Sequence, residues 1–191
     1  MSAATVAASR GHQVTLFEAA REVGGQFNLA KVVPGKEEFH ETIRYFKVQI
    51  EKTGVDLRLN TKVNREQLER EGFDEVVIAT GVVPRALKIE GSEAPQVLSY
   101  AQVLRGAPVG RKVAVIGAGG IGFDVSEFLL KPEHQPQPQP LAEWQREWGV
   151  DPNPNYVTEG GMSAPEVHPP IREIYLLQRK TTALGAGLGK T

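Results

Sequence analysis

The run from Arg111 to Leu130 constrains this chain more than any other stretch. Val113, Ala114, Val115 and Ile116 are apolar and mostly β-branched, which predicts a strand buried on both faces. Gly117, Gly119 and Gly122 follow at the G-x-G-x-x-G spacing. Phe123, Val125, Phe128 and Leu129 then recur at helical intervals. Strand, glycines and helix in that order are what a dinucleotide-binding turn requires. Gly117 permits the tight turn, Gly119 lets a pyrophosphate approach the backbone, and Gly122 lets the helix pack close to the strand. The helix start adds unpaired N–H groups and a partial positive charge for the phosphates. A glycine-rich turn without a ligand is the competing reading, and the flanking strand and helix weigh against it.

Composition narrows the function classes. The chain has 191 residues, net charge −1 and 40% hydrophobic residues, as expected for a soluble globular protein of one large or two small domains. A net charge so near zero argues against general attraction to nucleic acid or anionic membrane. With no cysteine, these residues can supply no disulfide, no catalytic thiolate and no thiolate-held iron–sulfur cluster. That usage fits a cytoplasmic location. No apolar run approaches the ~20 residues of a membrane span. Arg10 is the only base near the N-terminus, so no signal peptide is expected there.

In chain order, Met1–Ser9 is rich in small residues and reads as a helix that ends at Gly11. Ala3, Ala4, Ala7 and Ala8 would bring that helix close to a neighbour. Gln13–Glu18 reads as a buried strand ending in an acid. This is the second half of a β-α-β dinucleotide unit, with Glu18 placed to bond adenosine ribose hydroxyls. The first strand and its glycine loop are then expected before residue 1. Gly24 and Gly25 either admit a ligand to the backbone or form a simple turn. Phe39, Ile43, Phe46 and Ile50 form one face of a helix over Glu37–Thr53 closed by Gly54, with His40 at the rim. Val55, Leu57 and Leu59 alternate as in a half-exposed strand, and Asn64 with Gln67 predicts a capped short helix.

Phe73–Gly81 reads as another buried strand, and Ser99 as the cap of a helix over Tyr100–Leu104. Lys131–Pro140, rich in proline and glutamine, predicts an extended, mobile loop. Leu141–Trp148 predicts a short helix with Trp144 and Trp148 packing from one face. Ile171–Gln178 predicts a strand, followed at once by Arg179 and Lys180. An acid after the second strand of a unit suits a free ribose, and a base suits a 2′-phosphate. Glu18 therefore points to FAD in the first unit. Arg179 and Lys180 point to NADP(H) in the second, unless they are only a solvated strand end. Arg179 lies much further from Gly122 than the ~20 residues usual for this motif, so the proline tract and tryptophan segment read as an insertion.

The resulting expectation is an α/β fold with Rossmann-like parallel sheets and flanking helices. It comprises an incomplete FAD-binding domain at 1–106 and an incomplete NADP(H)-binding domain at 107–191, with the insertion at 131–140.

Several motifs resemble a known family. They are Gly24-Gly25-Gln26-Phe27-Asn28, Pro34 to Phe39, Ile78-Ala79-Thr80-Gly81, Gly119-Gly120-Ile121-Gly122-Phe123-Asp124, and Leu177-Gln178-Arg179-Lys180 through Gly187 to Thr191. Together they look like bacterial NADPH-dependent 2,4-dienoyl-CoA reductases, of the NADH:flavin oxidoreductase or old-yellow-enzyme-like family. The resemblance implies that Glu18, Gly24, Gly25 and Gln26 line an FAD site and that Thr80 and Gly81 pass near the flavin crevice. It implies that Gly117, Gly119, Gly120 and Gly122 hold NADPH together with Arg179 and Lys180. It also implies that FMN, an iron–sulfur cluster and the acyl-CoA site belong to a barrel domain of the parent chain, outside these residues. The parent would reduce an unsaturated fatty acyl thioester, with electrons passing from NADPH through FAD and the cluster to FMN. This chain would be an internal fragment, inactive alone, binding small-molecule nucleotides but neither nucleic acid nor membrane. The alternatives are another enzyme of the same architecture, such as an amine dehydrogenase or enoate reductase, a non-catalytic nucleotide-binding module, or a truncated reading frame.

Overall fold

The computed structural model describes residues 1–85, 87–131, 139–152 and 161–185. Most of the Lys131–Pro140 tract and the Gly187–Thr191 motif lie outside the described residues. The chain forms two compact units, Met1–Ala101 and Gln102–Thr191.

In the first unit, α1 (Ser2–Ser9) and β1 (Thr15–Phe17) are followed by α2 (Phe27–Ala30) and α3 (Phe39–Thr53), and then by β2 (Asp56–Arg58) and α4 (Arg65–Glu71). β1 and β2 pair in parallel with Leu16 opposite Leu57. Ile43 and Ile50 turn inward from α3, and Gly54 closes the helix at φ 71°, its N–H bonding the Glu51 and Ile50 carbonyls. The alanines of α1 do bring it close to a neighbour. Ala4 is buried in one cluster with Val23, Ile50 and Val55, and Ala8, Val14, Leu16 and Leu57 pack around it. Ala3 faces outward instead.

Asn64 caps α4 as its spacing predicts, its Oδ1 accepting from the Gln67 N–H at 2.9 Å. Glu71, at the end of α4, accepts from Gln67 at 3.0 Å and from Arg58 at 2.6 Å. These bonds, that from Gln67 foremost, hold its carboxyl below the usual range. Their contribution is present above the ordinary carboxylate pKa and is lost as pH falls. His40 is exposed, as its place off the apolar stripe implied.

Two expectations for this unit fail. The strand read as buried over Gln13–Glu18 spans only Thr15–Phe17 and is half-buried. The run Phe73–Gly81 is not a strand, and Val77 and Ile78 are 73% and 82% exposed. An apolar run becomes a buried strand only when neighbours pair with its backbone and cover both faces. Here β1 and β2 form a sheet of two strands that does not include it. The short helix α2 was not anticipated. It begins where Gln26 takes a helical conformation directly after two glycines.

The second unit begins within α5 (Tyr100–Leu104), a helix that Ser99 was expected to cap. It contains β3 (Lys112–Ile116), α6 (Gly120–Leu130), α7 (Leu141–Trp148) and β4 (Glu173–Leu177). β3 and β4 are parallel and in register, from Lys112 opposite Glu173 to Ile116 opposite Leu177. Val125 and Leu129 bury the inner face of α6. Arg172 caps the other end of α6, its Nη1 donating to the Leu129 carbonyl at 3.0 Å.

β3 was expected to be buried on both faces and is not. Its residues alternate between exposed and half-buried, because among the described residues one paired strand and one packed helix cover a single side. α7 forms as predicted, but its tryptophans do not pack inward. They stack on each other at 6.0 Å and remain 42% and 62% exposed. The segment after α7 is tied back by an isolated antiparallel bridge, Val150 to Met162.

The helical core of the first unit supplies a direct test. Ile50 is 2% exposed and joins α3 to α1 and β2. Replacing it with alanine should cost about 2–5 kcal/mol, read as a lower urea midpoint by circular dichroism.

Candidate functional site

The glycine loop sits at the carboxyl end of the β3–β4 pair. Gly117 extends the ladder, its N–H donating to the Leu177 carbonyl at 2.8 Å, and then turns at φ 119°. Gly119 is the N-cap of α6 and makes no side-chain cap. Gly120 is the first residue of the helix.

Gly122 is required by the protein itself. A Cβ there would lie 1.8 Å from the Gly117 carbonyl oxygen and 3.4 Å from Leu176 Cδ1. Gly119 is different. Its backbone is extended, at φ −95° and ψ −177°, and a Cβ would meet nothing within 4 Å. Neither backbone strain nor a neighbouring atom explains the glycine at 119. The bare backbone at the positive end of α6 leaves room for an anion to approach, so the loop fits a nucleotide pyrophosphate.

Gly117 bonds Leu177, so Gln178, Arg179 and Lys180 leave β4 at the same end as the loop. Arg179 and Lys180 are both exposed. The long insertion therefore leaves intact the expected order of strand, glycine loop, helix and parallel strand ending in bases.

At the opposite end of these strands lies a shallow groove of about 420 Å³ lined by Arg111, Lys112, Pro170, Ile171, Arg172 and Glu173. Lys112 there reaches Glu173 at 4.0 Å and sits 5.2 Å over the Tyr175 ring. The Tyr175 hydroxyl donates to Glu173, which raises its pKa.

In the first unit, Glu18 directly follows β1. Its N–H bonds the Arg58 carbonyl at 3.0 Å, and its own carbonyl accepts from Thr61 at 2.9 Å. One carboxylate oxygen accepts from the Ala20 N–H at 2.9 Å, which holds the side chain at the strand end.

Gly24 and Gly25 both take positive φ, 126° and 50°. A Cβ on Gly24 would stand 2.7 Å from Asn28 Nδ2, which itself donates to the Val23 carbonyl at 3.0 Å. The turn is thus built tightly on the α2 side. Thr80 and Gly81 are exposed, with Gly81 at φ 71°. The structure brings two of the sequence-predicted stretches together, because Gln26 Nε2 donates to the Val82 carbonyl at 3.2 Å. Sequence reasoning missed Tyr100, whose hydroxyl donates to Gln26 Oε1 at 3.3 Å. No short-range pattern links positions 26 and 100.

Comparison with known proteins now decides the family. Residues 1–141 match the pyridine nucleotide-disulphide oxidoreductase family. The chain belongs to that family. It is therefore a nucleotide-binding module of flavin- and NAD(P)-dependent oxidoreductases, with the Rossmann-like fold of small parallel sheets flanked by helices.

Among its relatives is a bilirubin reductase of Mediterraneibacter gnavus, 40% identical over 133 residues that make up 69% of this chain and 21% of the relative. A cinnamate reductase of Clostridium sporogenes is 37% identical over 130 residues, 68% of this chain and 19% of the relative. Among solved structures, a 2-naphthoyl-CoA reductase in complex with 2-naphthoyl-CoA superimposes with a TM-score of 0.63 at 39% identity, covering 65% of this chain and 19% of that one. The chain thus spans about a fifth of the length of the relatives it matches. Among the described residues no helix is long and apolar enough to cross a membrane.

Two glycines separate fold from ligand. Gly119→Ala should unfold within about 1 kcal/mol of the natural chain yet bind NADPH at least tenfold more weakly, by calorimetry. Gly122→Ala should lose about 2 kcal/mol or more of stability, because the clashing atom is backbone and cannot swing away.

Proposed function

We propose that this chain is the pyridine-nucleotide and FAD electron-input module of an NADPH-dependent 2,4-dienoyl-CoA reductase acting in unsaturated fatty acid breakdown in the cytoplasm. The observation that carries the reading is the conjunction at one sheet end of Gly119, a glycine its own fold does not need, with Arg179 and Lys180 after β4. The loop N–H groups would hold the pyrophosphate, and the two bases would pair with a 2′-phosphate. In the first unit Glu18 would orient the adenosine ribose, and Gly24, Gly25 and Gln26 would meet the flavin nucleotide together with Thr80 and Gly81. Bound FAD supplies two-electron chemistry with NADPH and onward electron transfer.

The partner is the barrel domain of the parent chain, holding FMN, the iron–sulfur cluster and the acyl-CoA site. No nucleic acid or membrane partner is proposed. Support for a thioester substrate comes from the motif resemblance and from the solved relative, whose name specifies an acyl-CoA. A second reading is favoured by the cinnamate and bilirubin reductases: an old-yellow-enzyme-type enzyme with another unsaturated substrate. The same input module would serve it, since substrate choice would lie in the barrel. Turnover of dienoyl-CoA against cinnamate by the parent enzyme separates the two.

Replacing Arg179 with alanine in the parent should weaken NADPH binding by about 10- to 100-fold, the worth of charge-assisted bonds to a phosphate. NADH affinity should hardly change. Equal losses for both nucleotides in calorimetry would remove the 2′-phosphate assignment.

Residues 1–191 alone should not retain FAD. The ribose bonds of Glu18 contribute only ~1 kcal/mol each. A desalted mixture should therefore lack stoichiometric flavin absorbance and should not oxidise NADPH with an artificial acceptor. A yellow, active preparation would overturn the reading of this chain as one part of a larger flavin site.

A further inference from the structure

The Gln26 side chain bonds to two distant parts of the first unit. Its Nε2 donates to the Val82 carbonyl at 3.2 Å, and its Oε1 accepts from the Tyr100 hydroxyl at 3.3 Å. Together these fix which way the amide faces. The Val82 carbonyl can only accept, so the amide NH₂ must face it. Tyr100 then donates to the oxygen. A reversed amide would set its own oxygen against the Val82 carbonyl, two acceptors facing each other.

The three parties are not equally anchored. Gln26 follows the Gly24–Gly25 turn, which Asn28 braces through its bond to Val23 and through the Lys31 Nζ bond to its Oδ1 at 2.9 Å. Tyr100 opens α5, and the next residue, Ala101, is buried. Thr80 to Val83, by contrast, is exposed backbone outside any strand, with Val82 73% and Val83 88% exposed. Two anchored residues therefore hold one stretch that no sheet holds.

We propose that Tyr100 is a positioning residue that, through the Gln26 amide, holds the Thr80–Gly81 crossing against the Gly24–Gly25 turn, so that both stretches form one preset surface for a flavin nucleotide. The flavin part rests on the proposed function above, whereas the tie stands on geometry alone. Ordering the crossing in advance removes an entropic cost that the nucleotide would otherwise meet on binding. The bonds are solvent-exposed, so each contributes at the low end of the hydrogen-bond range.

The test uses residues 1–191 without flavin. Tyr100→Phe removes the donor, and Gln26→Leu removes both bonds. Gln26→Glu keeps the shape and the acceptor for Tyr100 but sets a carboxylate oxygen against Val82. One readout is the ¹³C shift of the Val82 carbonyl, which reports whether it accepts a hydrogen bond. The other is trypsin cleavage after Arg85, an exposed site just beyond Val82, whose rate follows the open population.

All three variants should move the Val82 resonance upfield and speed cleavage about two- to fivefold. Tyr45→Phe, whose ring packs on Phe46, should change neither. An unmoved Val82 resonance and unchanged cleavage in Tyr100→Phe and Gln26→Leu would overturn the tie, as would a Gln26→Glu chain indistinguishable from the natural one. No flavin enters the measurement. A negative result therefore leaves the cofactor reading standing, and failure of the NADPH and FAD experiments leaves this result untouched.

Discussion

The contact on which the second unit depends is the approach of Gly122 to the Gly117 carbonyl, closer than any side chain would allow. It lets α6 start directly over the end of β3 and aims the helix N-terminus at the space beyond Gly119. The parallel pairing of β4 beside β3 then continues into Gly117 through its bond to Leu177. Loop, helix and second strand are thereby locked to one another by backbone geometry rather than by a large core. Val125 and Leu129 are the buried residues of α6. A site built this way tolerates a long insertion between α6 and β4, because loop closure costs grow slowly with length.

The first unit is held by different means. Its centre is an apolar contact among Ala4, Val23, Ile50 and Val55, where small residues on α1 let it lie near α3. Around this core run exposed or half-exposed charged pairs. Arg58 reaches Asp56 at 2.8 Å and Glu71 at 2.6 Å and also lies 5.3 Å over the Phe17 ring. Surface pairs of this kind contribute little individually. Stability therefore rests on helix burial, and the short β1–β2 pair ends at Glu18. The 74–83 stretch lies outside that sheet, which leaves its β-branched side chains exposed and gives the Gln26 bond to Val82 its importance.

Residues of opposite charge follow one strand in each unit: Glu18 after β1, and Arg179 with Lys180 after β4. A carboxylate accepts from ribose hydroxyls and repels a phosphate, while guanidinium and ammonium groups do the reverse. Within one architecture this contrast is what the proposed assignment of different nucleotides to the two halves rests on. Membership of the pyridine nucleotide-disulphide oxidoreductase family supports FAD and NAD(P)H as the nucleotides concerned.

Much of this was legible in the residue order, because the signals are local. Asn64 with Gln67, Gly54 after the α3 stripe, and Gly11 after the alanine helix each act over three or four positions, and each appears where the sequence placed it. The glycine spacing likewise determined the loop at 117–122, since backbone sterics alone require Gly122. Burial was less legible. Val113–Ile116 and Phe73–Gly81 are apolar enough to be covered on both faces, but coverage depends on which strands and helices arrive from elsewhere in the chain. Tertiary structure decided that, among the described residues, β3 has one partner strand and the other run has none. It also decided that Tyr100 meets Gln26, a long-range pairing that depends on how α2 and α5 are placed in space and that no local periodicity encodes.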